Sequence, residues 1–474
     1  MSFLRLAPSD DPAYIDAASG ASTSYRELLS EVSELARPLT ANKQLVAIHC
    51  RNDRFTLTAY AATQLHGHAA LMLDGSRPVA EQVDTLAAYR PDWVAGPPGT
   101  AEALAEAAAA VRDRHELAGG ELVSLSGSDA PMDPDLAVLL GTSGTTGSSK
   151  YVRLSAAAVM ANAGSIAEYL GLTPAERPVT SLPLHYSFGL SVLNSHWLVG
   201  AAVVVSAESV IQKGFWEAVR RNGCTSLAGV PYTYQLLERV GYRELDLPAL
   251  ATMQQAGGAL DRRLTATYHE HMQAKGGRLL VMYGQTEATA RMAYVPPTRL
   301  SEKLGSAGRA IPRGELRVEE AEPDIAGRMV GEVVYEGPNV MLGYATGRDD
   351  LARGDELGGV LRTGDLGYLD EDGFLFLTGR SKRIAKVFGL RVNLDEIELL
   401  LREHGPAAAV AGDERVRGSC AFGSEEELAQ LRTALAQRLH VHPSAFELVR
   451  VEEITVTSSG KVDYRAVERL LRSS

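Results

Sequence analysis

The residues best suited to chemistry form a loop rich in glycine and hydroxyl side chains at residues 141–150, GTSGTTGSSK. The loop follows an apolar run at residues 136–140, which predicts a buried strand. Glycines let backbone N–H groups approach an anion closely, hydroxyls add donors, and Lys150 adds positive charge. The pattern predicts a phosphate-binding loop. It is not a Walker loop, which ends in Gly-Lys-Ser/Thr, because Ser149 precedes Lys150 and Tyr151 follows it. A surface linker has a similar composition, but a linker seldom leads from a buried strand into a helix-like segment such as residues 155–170.

Four further segments carry reactive side chains. They are YGQTE at residues 283–287, LRTGD at 361–365, TGR at 378–380 and TSSGK at 457–461. Each is a weak signal alone, and a strand end with a helix cap would explain the first. Their order and spacing along the chain form a much stronger pattern.

Alternating strand and helix patterns must position these segments. Buried strands are predicted at residues 45–49, 69–73, 202–205, 226–230 and 278–282, with helices at 25–39 and 55–66 between them. This alternation favours parallel sheets covered by helices. The alanine-rich residues 101–112 predict a surface helix.

The chain becomes β-rich after about residue 310. Residues 368–377 predict a hairpin that turns at 370–373, and a helix is predicted at 394–402. A basic cluster at residues 380–383 marks the predicted boundary. We therefore divide the chain into a large N-terminal domain, residues 1–380, and a small C-terminal domain, residues 381–474.

Composition limits the classes of function. The chain has 474 residues and a net charge of −12, which argues against a general nucleic-acid or membrane role. Its three cysteines lie far apart, in no metal-ligand spacing, and are expected to be small buried residues in a reducing compartment. The N-terminus lacks a signal-peptide core and no window is long and apolar enough for a membrane span, so a cytoplasmic location is expected.

Taken together, the five segments resemble those of the adenylate-forming superfamily, which includes acyl-CoA synthetases, peptide-synthetase adenylation domains and luciferases. Residues 23–28 and 69–74 also match its usual N-terminal landmarks. The resemblance implies a large N-terminal domain of stacked α/β sheets with a β-barrel-like subdomain, and a small mobile C-terminal α+β lid. It also implies that a carboxylate attacks ATP, giving acyl-AMP and pyrophosphate, before a thiol takes the acyl group.

The resemblance also assigns expected roles to individual residues. The phosphates would be held by the loop residues Thr142, Ser143, Gly144, Thr145, Thr146, Gly147 and Lys150, and Mg2+ by Glu287 and Thr146. The nucleotide would contact Gly257, Gly258, Ala259, Tyr283, Gly284, Gln285, Thr286, Asp365 and Arg380. Lys461, from the lid, would bridge the attacking carboxylate and the α-phosphate; an ordinary solvated lysine is the alternative.

Three assignments have plainer alternatives. His185 could gate the acyl pocket or orient the carboxylate, or it could be a satisfied core histidine. Lys382 lies where this family hinges, and rotation there would present residues 389–391 to a thiol; otherwise it is one basic residue among several. Its neighbour Arg380 could likewise be a solvated boundary charge.

The substrate segment departs from the peptide-synthetase pattern. No aspartate occurs between residues 182 and 194, which disfavours a free α-amino acid. Tyr186, Phe188, Tyr232, Tyr234 and Met282 could line an apolar pocket for an aryl or aliphatic acid, although core packing explains them equally well.

Three functions stay open at this point. The leading one is an acyl- or aryl-CoA ligase that uses ATP and Mg2+, takes a small-molecule carboxylic acid and passes it to CoA. The second is a stand-alone adenylating enzyme that serves a carrier protein or an amine, or activates an oxyanion such as nitrite. The third is a nucleotide-binding protein without catalysis, which the joint presence of Lys461, Glu287 and Asp365 disfavours. A monomer or homodimer is expected.

Overall fold

The computed structural model describes residues 6–108, 111–117, 119–126, 130–141, 150–323, 328–380, 383–387, 390–412, 415–438, 441–457 and 461–473. Within these ranges, none of the helices combines the length and the apolar character that a bilayer crossing needs. Cys50, Cys224 and Cys420 are buried, which confirms that part of the expectation for them.

The first part of the chain alternates strands with helices. In order it forms β1 (Pro12–Asp16), β2 (Ser22–Ser24), α1 (Tyr25–Ala36), β3 (Leu45–Cys50), α2 (Arg54–Leu65), β4 (Ala69–Asp74), α3 (Val83–Tyr89), β5 (Trp93–Gly96), α4 (Thr100–Ala108), β6 (Val111–Leu117), β7 (Gly120–Leu125) and β8 (Leu136–Gly141).

The alternation continues through the middle of the chain. The elements are β9 (Tyr151–Ser155), α5 (Ala156–Leu170), β10 (Pro178–Val179), α6 (Ser187–Leu198), β11 (Val203–Val205), α7 (Lys213–Arg221), β12 (Ser226–Gly229), α8 (Pro231–Arg239), β13 (Thr252–Gln255), α9 (Arg262–Ala274), β14 (Arg278–Tyr283), β15 (Ala293–Val295) and β16 (Arg309–Ala310).

Strands predominate after that, until the last helices. The elements are β17 (Glu315–Pro323), β18 (Met329–Glu336), β19 (Gly343–Ala345), β20 (Val360–Leu369), β21 (Leu375–Arg380), β22 (Ile384–Val387), β23 (Leu390–Asn393), α10 (Leu394–Arg402), β24 (Ala407–Ala411), β25 (Val416–Cys420), α11 (Glu425–Arg438), β26 (Phe446–Arg450) and α12 (Tyr464–Ser473).

Two large sheets form the body of the molecule. One has the order β19-β9-β8-β4-β3-β5-β7-β6, and the other β16-β15-β14-β13-β12-β10-β11-β1-β2. Their central strands are parallel, as the strand–helix alternation predicts.

Burial on both faces explains why these central strands are continuous apolar runs. Along β3, Val46 and Ile48 join a core cluster that also contains residues of α1, α2, α6 and β11. Leu45 and Ala47 point the other way, into a second cluster beneath α3 and α4. Because successive strand side chains alternate faces, the first cluster lies between the two sheets and holds them together.

The β-rich part, expected to be barrel-like, is a four-stranded antiparallel sheet with the order β17-β18-β20-β21. The predicted hairpin is confirmed: β20 and β21 pair antiparallel, and the Gly373 N–H donates to the Asp370 carbonyl across the turn. The mixed α/β fold class is confirmed as well.

The prediction of a surface helix over the alanine-rich residues 101–112 is only partly right. Helix α4 ends at Ala108, and residues 111 and 112 belong to strand β6. Ala101, Leu104 and Ala105 are buried, so one face of α4 packs against the sheet and the helix is not merely a surface element.

The C-terminal residues have cores of their own. Residues between Ala385 and Phe446 form one apolar cluster, and residues between Ala408 and Leu471 form another. The strands here pair only among themselves in the described residues, as β22-β23 and β24-β25-β26.

Candidate active site

The site gathers at one edge of the second large sheet. Strands β12, β13 and β14 are parallel, so their carboxyl ends, at Gly229, Gln255 and Tyr283, meet at this edge. In the other large sheet, β8 and β9 are antiparallel neighbours that flank residues 142–149. Two of the sequence motifs, residues 141–150 and 283–287, therefore follow strand ends where ligands bind in parallel α/β sheets.

Asp365 is the centre of the first group of site residues. It lies on β20 directly opposite Arg380 of β21, and the Arg380 Nε donates to its Oδ1 at 3.0 Å. The Tyr283 hydroxyl and the Gln285 side-chain amide both donate to Oδ2, at 2.5 and 2.7 Å. Burial and the Asp365 charge raise the pKa of Tyr283 well above its ordinary value.

These hydrogen bonds fix a carboxylate that is only 4% exposed. A carboxylate can accept about four hydrogen bonds, and three are supplied by Tyr283, Gln285 and Arg380. Oδ1 thus keeps acceptor capacity for a hydroxyl group of a ligand.

A strained loop follows Tyr283 and carries Thr286 and Glu287. It contains a short 3-10 turn, Thr286–Ala288, and then two non-glycine residues with positive φ, Thr289 at +60° and Ala290 at +108°. Such conformations cost about 1–3 kcal/mol each and persist only where the surroundings enforce them. The Thr286 hydroxyl lies 3.2 Å from that of Ser187.

Asn339 is part of what enforces this loop. Its side-chain amide donates to the Ala288 carbonyl at 2.7 Å, and its backbone carbonyl accepts from the Thr289 hydroxyl at 2.6 Å. A Cβ at Gly284 would lie 1.8 Å from the Ala290 carbonyl oxygen, so the return of the chain requires glycine there. The backbone that carries Glu287 is therefore held in place by these contacts.

Glu287 and Lys150 both contact the side chain of Tyr344. The Tyr344 hydroxyl donates to Glu287 Oε1 at 2.9 Å, and the Lys150 Nζ lies 3.3 Å from the centroid of the Tyr344 ring. Strand β19 carries Tyr344 and pairs with β9, which begins immediately after Lys150. Burial and the neighbouring Glu287 raise the Tyr344 pKa.

The donor set fits a magnesium ion bound with a nucleotide. Among the described residues, no group of three or more His, Cys, Asp or Glu side chains could hold a metal ion. Mg2+ is usually bound through one or two carboxylates together with substrate phosphates, which is what the single carboxylate of Glu287 beside Lys150 provides.

Lys461 reaches this site from the C-terminal part of the chain. The Thr457 N–H donates to the Lys461 carbonyl at 2.7 Å, and Val456 and Val462 pair in an antiparallel bridge. Its Nζ lies 5.2 Å from the centroid of the Tyr186 ring. Burial and Arg380 lower its pKa to about 8, and the opposing attractions of Glu287 and Asp365 do not offset them.

Gly257 lies beside the same tyrosine. It has φ +85°, and a Cβ there would lie 2.6 Å from the Tyr186 hydroxyl oxygen and 3.0 Å from Val230 Cγ1. Gly258 and Ala259 are exposed. A side chain at Gly257 would therefore overlap Tyr186, which is a structural reason for glycine there, and the predicted contact with the nucleotide stays a prediction.

An apolar cluster, which we call the Tyr186 cluster, extends inward from this point. It comprises Ile166, Leu170, Leu182, Phe188, Val192, Ala228, Val230, Ala256, Leu280 and Met282, with Tyr169, Leu172, Tyr186, Tyr232 and Tyr294 packed against them. Tyr234, expected in the same pocket, instead packs edge-on against Tyr268 in another core cluster.

His185 points away from this group. Its Nε2 lies 3.6 Å from Asp74 Oδ2, too far for a hydrogen bond, and its Nδ1 is buried with no hydrogen-bond partner among the described residues. Burial lowers its pKa. The structure thus places His185 beside the end of β4, whereas its neighbour Tyr186 contacts Lys461.

The remaining predicted residues lie outside the described part of the chain. They are Thr142, Ser143, Gly144, Thr145, Thr146, Gly147 and Lys382, together with Gly389 of the second lid face and residues 458–460 before Lys461.

Tyr344 and Asn339 were not predicted. Neither lies in a motif rich in reactive side chains, and each acts through a contact with a residue about 50 positions away. A single sequence carries no local signal of such a pairing.

Relatives with assigned activities are similar to much of this chain. An indoleacetate–CoA ligase from Aromatoleum aromaticum is 32% identical over 61% of this chain and 57% of its own length. A 2-succinylbenzoate–CoA ligase from Bacillus velezensis is 29% identical over 82% of this chain and 79% of its own length. The chain thus spans little more than half of the first relative.

Solved structures match almost the whole chain. The amide bond synthetase from Marinactinospora thermotolerans has a TM-score of 0.78 and 26% identity, covering 97% of both chains. The o-succinylbenzoate CoA synthetase from Bacillus subtilis, in complex with an acyl-adenylate intermediate, has a TM-score of 0.74 and 22% identity, covering 96% of this chain and 95% of its own.

The sequence profile of the AMP-binding enzymes matches residues 4–345, which is more than half of the sequence. This match includes the predicted phosphate-binding loop, the YGQTE segment and Tyr344. The chain therefore belongs to the AMP-binding enzyme family.

Proposed function

We propose that this protein activates a small-molecule carboxylic acid with ATP and passes the acyl group to a thiol, with CoA as the acceptor. The observation that carries the proposal is the position of Lys461. Its ammonium group, supplied by the C-terminal part of the chain, lies near Glu287, Asp365 and Tyr186. A cation at this position can contact both reacting anions.

In the first half-reaction, a carboxylate oxygen of the acid attacks the α-phosphorus of ATP. A P–O bond forms, and the bond from the α-phosphorus to the bridging oxygen breaks, releasing pyrophosphate. Lys461 holds the two anions together and stabilises the charge that develops between them. Asp365 accepts from the ribose hydroxyls, Arg380 assists there or at the phosphates, Tyr283 and the backbone at residues 257–259 contact the adenine, and Thr286 contacts the α-phosphate.

The triphosphate tail is assigned to residues 142–147 and Lys150. Glu287, together with Thr146, would hold Mg2+, which supplies neutralisation of phosphate charge when bound. Tyr344 supports this assignment, because its hydroxyl and its ring contact Glu287 and Lys150 respectively.

In the second half-reaction, the thiol loses its proton to solvent and its sulfur attacks the acyl carbon. The bond from that carbon to the AMP oxygen breaks, and AMP leaves. We propose that residues 381–474 act as a lid that rotates about Lys382 and exchanges the Lys461 loop for residues 389–391. The separate apolar clusters of the C-terminal residues support this division at residue 380, because they let that part move as a unit.

CoA is favoured as the acceptor because the relatives named above are CoA ligases. An amine is the second candidate, since the amide bond synthetase matches nearly the whole chain at 26% identity. We further propose a cytoplasmic enzyme that acts as a monomer or a homodimer.

Acid-dependent release of pyrophosphate tests the proposal. A panel of aliphatic and aryl acids, with nitrite included, should give release with at least one member, and CoA should accelerate it more than a carrier protein or an amine does. Saturable ATP binding with no release from any acid would refute the enzyme and leave a nucleotide-binding protein. Acceleration by an amine alone would favour the second candidate.

A further inference from the structure

Arg291 is a buried arginine whose partners are all neutral. It is 1% exposed. Its Nε donates to the Ser191 hydroxyl at 3.2 Å and its Nη1 to the Tyr169 hydroxyl at 3.0 Å, with the Met282 sulfur 3.4 Å from Nη1. Its Nη2 is buried and has no hydrogen-bond partner in the described part of the chain.

The other fully buried arginines among the described residues have carboxylate partners. Arg153 pairs with Glu356, and Arg348 lies 3.2 Å from Asp92. A guanidinium group stays charged in a protein, and burying a charge without a counter-charge costs several kcal/mol. Arg291 therefore departs from the pattern, and the described residues offer it no carboxylate within hydrogen-bond distance.

The surroundings of Arg291 connect it to the reaction centre. Tyr169, Phe188 and Met282 all belong to the Tyr186 cluster. The Lys461 Nζ lies 5.2 Å from the Tyr186 ring, the Tyr186 and Phe188 rings are 6.4 Å apart, and the Phe188 ring is 4.9 Å from the Arg291 Cζ. Two cations thus adjoin one short row of aromatic rings.

This arrangement suggests where a substrate lies. The carboxylate that becomes activated is held at Lys461, so the rest of the acid extends along the row towards Arg291. The Arg291 Nη2 is a buried N–H donor at that end of the row, and a hydrogen-bond acceptor on the substrate would remove the cost of leaving it unpaired. An anionic acceptor would also neutralise the buried charge of the guanidinium group.

We propose that Arg291 binds a second anionic group of the substrate, so that the enzyme selects a carboxylic acid with a distal carboxylate or sulfonate on a short aliphatic or aryl spacer. This inference rests on the proposed function for its reaction, but the binding site itself does not. Arg291 here is a specificity residue that contacts the distal group and takes no part in bond making.

Matched acid pairs test the inference. Each dicarboxylic acid from succinic to pimelic, and homophthalic acid, is compared with the analogue in which a methyl group replaces the distal carboxyl, by acid-dependent ATP–pyrophosphate exchange. The wild-type protein should have a kcat/KM for the best dianionic acid that is at least about tenfold higher than for its methyl analogue. Loss of a hydrogen bond to a charged group lowers binding by about this factor or more.

The variant Arg291→Met should remove this preference by raising KM for the dianionic acid, while kcat for the methyl analogue is kept. Arg291→Lys should restore part of the preference. Arg153→Met is the matched control: it also loses a buried arginine, and should lower stability and affect both members of each pair equally. A wild-type preference for the methyl analogues, or a folded Arg291→Met variant with an unchanged ratio, would overturn the inference.

Calorimetric binding of the same acids separates this inference from the proposed function. If no acid supports exchange but dianionic acids bind and Arg291→Lys weakens them, the anion site stands and the reaction does not. If exchange occurs without any preference for a distal anion, in binding or in turnover, the inference fails and the reaction stands.

Discussion

The lowered pKa of Lys461 predicts an alkaline limit to the first half-reaction. The ammonium form is the active one, because it must attract two anions. Burial and Arg380 lower its pKa from the ordinary 10.5 to about 8, so the charged fraction, which is nearly complete at pH 7, falls above pH 8. The kcat/KM for ATP, which reports the free enzyme, should therefore decrease about tenfold per pH unit beyond that point.

Removal of Arg380 tests the cause of this limit. Arg380→Gln takes away a cation that lowers the Lys461 pKa, so the alkaline limb should move to higher pH, although the rate at neutral pH falls because Arg380 also binds Asp365. The assay is ATP–pyrophosphate exchange without CoA, so that titration of the thiol does not contribute. A wild-type profile that stays flat to pH 9.5, or a limb that moves to lower pH in the variant, would refute the reasoning.

Three further changes should separate metal binding, positioning and backbone strain. Glu287→Gln should lower kcat/KM for MgATP about a hundredfold and raise the Mg2+ concentration needed for half-maximal rate, whereas an unchanged metal titration would count against its role. Tyr344→Phe removes the hydroxyl that donates to Glu287 but keeps the ring beside Lys150, so kcat/KM should fall about tenfold; Tyr368→Phe, on the β20 hairpin, should change nothing. Gly284→Ala should lower the free energy of unfolding in urea by about 1–3 kcal/mol, because its Cβ would overlap the Ala290 carbonyl. Gly164→Ala in α5, where a Cβ would make only an ordinary contact with the end of the Arg313 side chain at 3.7 Å, should be neutral or slightly stabilising.

Local patterns predicted much of the fold. The strands expected at residues 45–49 and 278–282 end one residue later, at Cys50 and Tyr283, and the helix expected at 394–402 has those bounds. Buried parallel strands and amphipathic helices carry their periodicity in contiguous residues, so a single sequence suffices for them. Strand β6 was missed because a charged, exposed run has no such periodicity.

The site was predicted only where its residues lie in recognisable motifs. Tyr283, Gln285, Asp365 and Arg380, which their motifs marked as nucleotide-binding residues, form one hydrogen-bonded group, and their contact with a nucleotide stays a prediction. The orientation of His185 towards Asp74 could not be predicted, because it depends on which face of the segment before α6 meets β4. Arg291 could not be singled out from the sequence either. Its proposed role depends on its burial without a carboxylate partner among the described residues, and only the structure shows this.

Formation of acyl-AMP by a Lys461→Ala variant is the most direct test of the central claim, that a lysine from the C-terminal part of the chain completes the adenylating site. The assay measures ATP binding, pyrophosphate release and thioester formation from chemically prepared acyl-AMP in parallel. We expect ATP to bind almost as in the wild type, pyrophosphate release to fall by at least about a hundredfold, and thioester formation to persist. Near-normal pyrophosphate release by this variant would contradict the account.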